Sequence, residues 1–164
     1  MRMPTRGLSN SLLLSLLTIA VLLAGCGGDG CSGPLSADEY RTQADAACTD
    51  ATKAATAVGS PADSAEGVQR YAEKLETILR DEGSALDELE PPEEMAATHR
   101  DLVDQIDKQA DSLRAIAAAA AENDRQAATT AAVLGQQASS RVVKAAQTLG
   151  LTVCSKRIAA PLGG

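Results

Sequence analysis

From Leu35 to Gly150 the apolar positions recur at intervals of three and four residues, and nowhere do they alternate as a half-buried strand would. Four stripes stand out. The first comprises Tyr40, Ala44, Ala47, Cys48, Ala51, Ala55 and Val58; Ser36 and Glu39 precede it at capping-box spacing, and Gly59-Ser60-Pro61 ends it. The second comprises Val68, Tyr71, Ala72, Leu75, Ile78, Leu79, Leu86 and Leu89, with Asp63 and Glu66 at the same capping spacing. Pro91-Pro92 breaks it. The third comprises Met95, His99, Leu102, Ile106, Leu113, Ile116 and Ala120, with Pro92, Glu93 and Glu94 suited to its first turn. The fourth comprises Ala127, Ala131, Leu134, Ala138, Val142, Ala145 and Leu149, capped by Asn123 or Asp124. Gly150-Leu151 after it has the form of a Schellman stop.

Stripes of about 20 to 30 residues separated by short breaks predict an all-α fold, an antiparallel up-down-up-down four-helix bundle over residues 36–154. Residues 155–164 are expected to be a C-terminal tail. The stripes are rich in alanine, and from Ala115 to Ala121 only Ile116 interrupts a run of it. Such stripes let helices approach closely and leave little interior space.

The first 25 residues have a different pattern. Arg2 and Arg6 precede an apolar run from Leu12 to Leu23, which is short for a permanent span of about 20 residues. The run leads into Leu23-Ala24-Gly25-Cys26, the order of a bacterial lipobox: an aliphatic residue, two small residues, then cysteine. Residues 1–25 therefore read as a lipoprotein signal peptide that is removed, with Cys26 as the lipidated residue. Each buried CH₂ contributes about 0.8 kcal/mol, so two or three acyl chains hold a protein durably on the outer face of a membrane. Residues 26–35, with four glycines between Gly27 and Gly33, read as a flexible tether between lipid and domain.

Composition modifies this picture in two ways. Hydrophobic residues make up 45% of the chain, but Phe and Trp are absent and there are only two tyrosines, so much of that share is alanine and the core is thin. The net charge is −7, and loss of Arg2 and Arg6 with the leader makes the mature chain more acidic still. Nucleic acid is accordingly not an expected partner, and neither is adsorption onto anionic headgroups.

An exported domain meets an oxidising compartment, where paired cysteines bond. In the expected topology the fourth helix ends beside the start of the first, so Cys154 can meet Cys48. Free buried thiols at both positions are the alternative, and Cys31 is either free in the tether or a competitor for either partner. The lipobox, Tyr40-Arg41-Thr42-Gln43-Ala44-Asp45-Ala46-Ala47-Cys48 and Leu149-Gly150-Leu151-Thr152-Val153-Cys154 together resemble the small, alanine-rich, cysteine-paired lipoproteins of high-GC Gram-positive bacteria. The resemblance implies a helical domain at the cell surface. It brings no activity or ligand with it.

Signals for catalysis and for metals are weak. His99 is the single histidine; Ala96 stands three residues before it, so the Glu-x-x-His pattern of di-iron bundles fails. Cysteines and histidine do not cluster at zinc spacing. His99 with Met95 as haem ligands would come from one helix face. Ser84, Ser112, Ser139 and Ser140 lie in helical stretches without a nucleophile elbow. Asp81-Glu82 and Asp87-Glu88-Leu89-Glu90 read as a solvated face and a helix end rather than a glycosidase pair. The expectation is a non-enzymatic, membrane-anchored envelope module, without cofactor or metal, that contacts an envelope protein or wall component. The alternatives are a carrier or sensor that binds a small ligand within the bundle, and a simple spacer.

Overall fold

A computed structural model describes residues 33–156. The leader 1–25, Cys26, Cys31 and most of the C-terminal tail lie outside the described residues. Within them, four α-helices follow one another: α1 (Ala37–Val58), α2 (Ala65–Asp87), α3 (Glu93–Ala121) and α4 (Arg125–Leu149). A short 3-10 turn, Cys154–Lys156, follows, and no strand is present among the described residues.

The helix ends have identifiable causes. Ser36 caps α1, its hydroxyl accepting from the Glu39 N–H while the Glu39 carboxylate accepts from the Ser36 N–H at 3.0 Å. The cap of α2 is Ser64 rather than the expected Asp63: its hydroxyl accepts from the Gly67 N–H at 3.0 Å. Gly67 is required there, because a Cβ would lie 2.6 Å from the Ala62 carbonyl oxygen. Asp124 caps α4 by accepting from the Ala127 N–H at 2.9 Å, and Asn123 before it takes the left-handed conformation. Gly150, with φ +75°, ends α4, and the Leu151 N–H returns to the Ala146 carbonyl at 2.9 Å, completing a Schellman stop.

The helices pack in sequence, α1 on α2, α2 on α3 and α3 on α4, and the 3-10 turn touches both α4 and α1. Tyr40, Leu86, Leu102, Ile106, Val142, Leu149 and Leu151 are fully buried, drawing the core from all four helices and the segment that follows. Two expected inward positions on α4 differ. Ala127 is exposed, and Leu134 is 56% exposed beside Val133 at 50%. The reason is that α1 packs chiefly on α2 and reaches α4 near its C-terminal end, where Arg41 meets Leu149, so it does not cover Ala127 or Leu134.

Glu82 departs from expectation in the other direction. It is 3% exposed, whereas Asp81 is exposed as expected. Its position explains this: Leu79, Glu82, Gly83 and Leu86 share the inner face of α2 at spacings of three, four and seven.

Candidate functional site

Three arrangements bring polar side chains together. The first lies where α1 meets α3. Tyr40 and His99 are both buried, their rings meet edge to face with centroids 5.5 Å apart, and the Tyr40 hydroxyl lies 2.9 Å from His99 Nδ1. Burial pushes the His99 pKa down; Asp87 counters this and Arg100 adds to it. Burial also pushes the Tyr40 phenol up to about 12. At neutral pH the pair is therefore an uncharged hydrogen bond between phenol and imidazole. It fastens α1 to α3.

The second arrangement joins the chain after α4 back to α1. Cys48 and Cys154 form a disulfide with Cα atoms 5.3 Å apart. One helical turn before Cys48, the Asp45 carboxylate accepts from the Thr152 N–H at 2.9 Å, the Thr152 hydroxyl at 2.7 Å and the Val153 N–H at 2.8 Å. Burial alone would raise the Asp45 pKa, but these bonds and one from the Cys154 N–H outweigh it and hold the carboxyl below its ordinary range. Arg41 Nε donates to the Leu149 carbonyl at 3.0 Å, covering an open carbonyl at the end of α4.

The third arrangement is a groove of about 330 Å³ between α3 and α4. Gln105, Lys108, Ser112 and Ala115 line it from α3, facing Leu134 and Arg141 of α4. The two helices approach closely at Ser112, one of its lining residues: a Cβ on Gly135 would stand 3.1 Å from Ser112 Cβ. Gln105 is 3% exposed, and its Oε1 has no hydrogen-bond partner among the described residues, while its Nε2 donates to Asp101 Oδ1 at 3.3 Å. Lys108 and Arg141 make no ion pair with the described residues, whereas Asp111, the acid of the groove, is held by Arg80 at 2.5 Å and Arg114 at 2.7 Å.

The residues singled out in the sequence are thus distributed over several places. Cys48 and Cys154 come together. His99 is engaged with Tyr40, and Met95 is buried one helical turn before it. Ser112 is buried with its hydroxyl donating to the Lys108 carbonyl at 2.9 Å, and Ser140 donates to Gln136 at 3.0 Å. No group of three His, Cys, Asp or Glu able to hold a metal ion exists among the described residues. None of their helices is long and apolar enough to cross a membrane.

Sequence reasoning missed Gln105 and Arg141. A signal for Gln105 was present: it stands three residues after Leu102 and beside Ile106, a polar residue on an apolar stripe. Comparison with known proteins adds no relative: no family model, no curated protein and no solved structure matches the chain.

Proposed function

We propose that this chain is an exported lipoprotein, cleaved before Cys26 and held by acyl chains on that thiol at the outer face of the cell membrane. Its helical body is a non-enzymatic module that contacts an envelope protein or a wall component. The Cys48–Cys154 disulfide is the structural observation that supports export, because such bonds persist in oxidising compartments. It agrees with the lipobox order Leu23-Ala24-Gly25-Cys26 and with the tether that follows. An antiparallel up-down-up-down arrangement belongs to the same reading, supported by the three-residue link 122–124 between α3 and α4. A non-catalytic role is supported by His99, the one histidine, being consumed by a buried bond to Tyr40.

The test is to fractionate cells that express wild type and Cys26→Ala. Wild type should be found in the membrane fraction as an acylated chain beginning at residue 26. Cys26→Ala should appear in the medium or persist as uncleaved precursor. Unchanged, mature, membrane-bound Cys26→Ala would refute the anchor. Crosslinking on intact cells, followed by capture of the wild-type chain, should enrich a defined envelope neighbour.

A second reading, a carrier or sensor for a small ligand, is favoured by one observation. Gln105 lines the α3–α4 groove, and its buried Oε1 has no hydrogen-bond partner among the described residues.

A further inference from the structure

We propose that the uncovered face of α4 is the contact surface for a second copy of this chain, the two α4 helices pairing antiparallel about Val133 and Leu134. The inference does not rest on the lipid anchor.

Charge marks the face. The chain carries 22 acids and a net charge of −7, yet α4, Arg125–Leu149, contains no Asp or Glu. Residues 126–140 carry no charge of either sign. The neighbouring α3, by contrast, carries Asp101, Asp104, Asp107 and Asp111. Two copies of one acidic molecule repel wherever that charge is displayed, and α4 is the helix on which they can approach.

Spacing and packing fit a helix pair. Gln126, Thr130, Val133, Gln137, Ser140 and Lys144 follow one another at alternating intervals of four and three residues, and all are exposed. That alternation is the seam of two paired helices. Val133, at its middle, is 50% exposed, and Leu134 beside it 56%. The seam is less polar than its composition: the Thr130 and Ser140 hydroxyls donate to the Gln126 and Gln136 carbonyls of α4 itself, each at 3.0 Å. Their polar atoms are already satisfied, which leaves carbon to pack.

The ends decide the occupant. Glu122 and Asp124 flank the start of α4, and Arg141 and Lys144 lie toward its other end. Glu122 and Lys144 stand 11 residues to either side of Val133. None of Glu122, Arg141 and Lys144 is in an ion pair with a described residue. Reversing one α4 against another brings Lys144 of each copy toward Glu122 and Asp124 of the other, with Arg125 the one like charge there. Gln137 then meets Thr130, and Gln126 can accept from Arg141. A parallel pairing would set Lys144 on Lys144 and Glu122 on Glu122. The complement of this face is therefore the same face reversed, as a two-fold dimer requires, and this selects a second copy over a different protein. The seam is one helix wide and about 27 Å long, so it buries less than the roughly 1,200–2,000 Å² of stable interfaces, and the association is weak and reversible.

The experiment is thiol cross-linking of the full chain in intact cells with a short bis-maleimide, in a Cys31→Ser background. Val133→Cys should give several-fold more cross-linked dimer than Ser84→Cys, an exposed control on α2. Glu122→Cys and Lys144→Cys, co-expressed with different tags, should link to each other and only weakly to themselves. Glu122→Lys should lower the Val133→Cys yield about fivefold, since it removes an exposed ion pair from both ends of the dimer. Adding Lys144→Glu should restore that yield. With the unsubstituted chain, carbodiimide coupling of mixed isotope-labelled and unlabelled protein should join Glu122 to Lys144 across the two labels.

A Val133→Cys yield no higher than that of Ser84→Cys would overturn the proposal. So would self-linking of Glu122→Cys as strong as its linking to Lys144→Cys, or a Val133→Cys product with the mass of a different protein.

Discussion

At the scale of residues, the Tyr40–His99 pair sets the pH response. Burial of the pair disfavours the imidazolium and holds the folded-state pKa of His99 below its ordinary value of 6.5. A lowered histidine pKa means that the unfolded chain binds the proton first as pH falls. The stability contributed is complete above about pH 6.5 and is lost as pH drops through the lowered folded value. Tyr40 limits the alkaline side: with its folded pKa near 12 against an ordinary 10, stability declines as pH rises between those values. Urea midpoints measured from pH 7.5 down to pH 4.5 should fall more steeply for wild type than for His99→Leu. Parallel slopes would remove this role. Tyr40→Phe leaves His99 Nδ1 unmet and should cost about 1–3 kcal/mol at pH 7. Both residues lay on legible stripes, His99 on the third and Tyr40 on the first. Their partnership was not legible, because 59 residues separate them and spacing encodes only the face of a residue's own helix.

At the scale of elements, glycines and caps separate what local chemistry decides from what packing decides. Gly83 is in the middle of α2, and a Cβ there would meet Ile106 Cγ2 at 3.5 Å, an ordinary contact. Gly83→Ala should therefore stabilise the domain by about 0.5–1 kcal/mol through helix propensity and unfolded-chain entropy, readable as a raised urea midpoint. Gly150→Ala should act in the opposite sense. Its φ of +75° strains an L side chain, and the added Cβ would press on Arg41 Nε at 3.0 Å, so a loss of at least about 1 kcal/mol is expected in the same measurement.

The caps at Ser36 and Asp124 and the stop at Gly150 could be read from the sequence, since each depends on residues a few positions apart. The α2 cap fell on Ser64 instead of Asp63. Both are capping residues, and the close approach of Gly67 to the Ala62 carbonyl oxygen sets the turn. Such a contact is not written in capping spacing.

At the scale of the whole molecule, the disulfide closes a separation of 106 residues across a core with no Phe or Trp. In the chain-entropy treatment a loop of about 100 residues contributes about 4.7 kcal/mol, against a total of about 5–15 kcal/mol for ordinary domains. Cys154→Ser should lower the melting temperature by many degrees, at roughly 2–8 °C per kcal/mol for a domain of this size. An unchanged transition would show that the Asp45 bonds and the helix packing suffice. Asp45→Ala, which removes the acceptor that holds Thr152 and Val153 while keeping the bridge, should give a smaller fall of about 1–3 kcal/mol. The two cysteines were an expectation of topology, and the structure pairs them. The Asp45 clasp was not foreseen, because a carboxylate one turn before a cysteine looks like any solvated acid until the chain after Gly150 returns to it.

Among the described residues, helix number, most helix ends and the all-α class follow from the sequence alone, because apolar periodicity and capping act over three to seven residues. Which faces remain uncovered, and which polar residues sink inward, was decided by tertiary packing. Leu134, read as an inward position, is 56% exposed, and Gln105, on which no expectation was placed, is 3% exposed. Both line the groove between α3 and α4, and no stripe read along a single helix contains it.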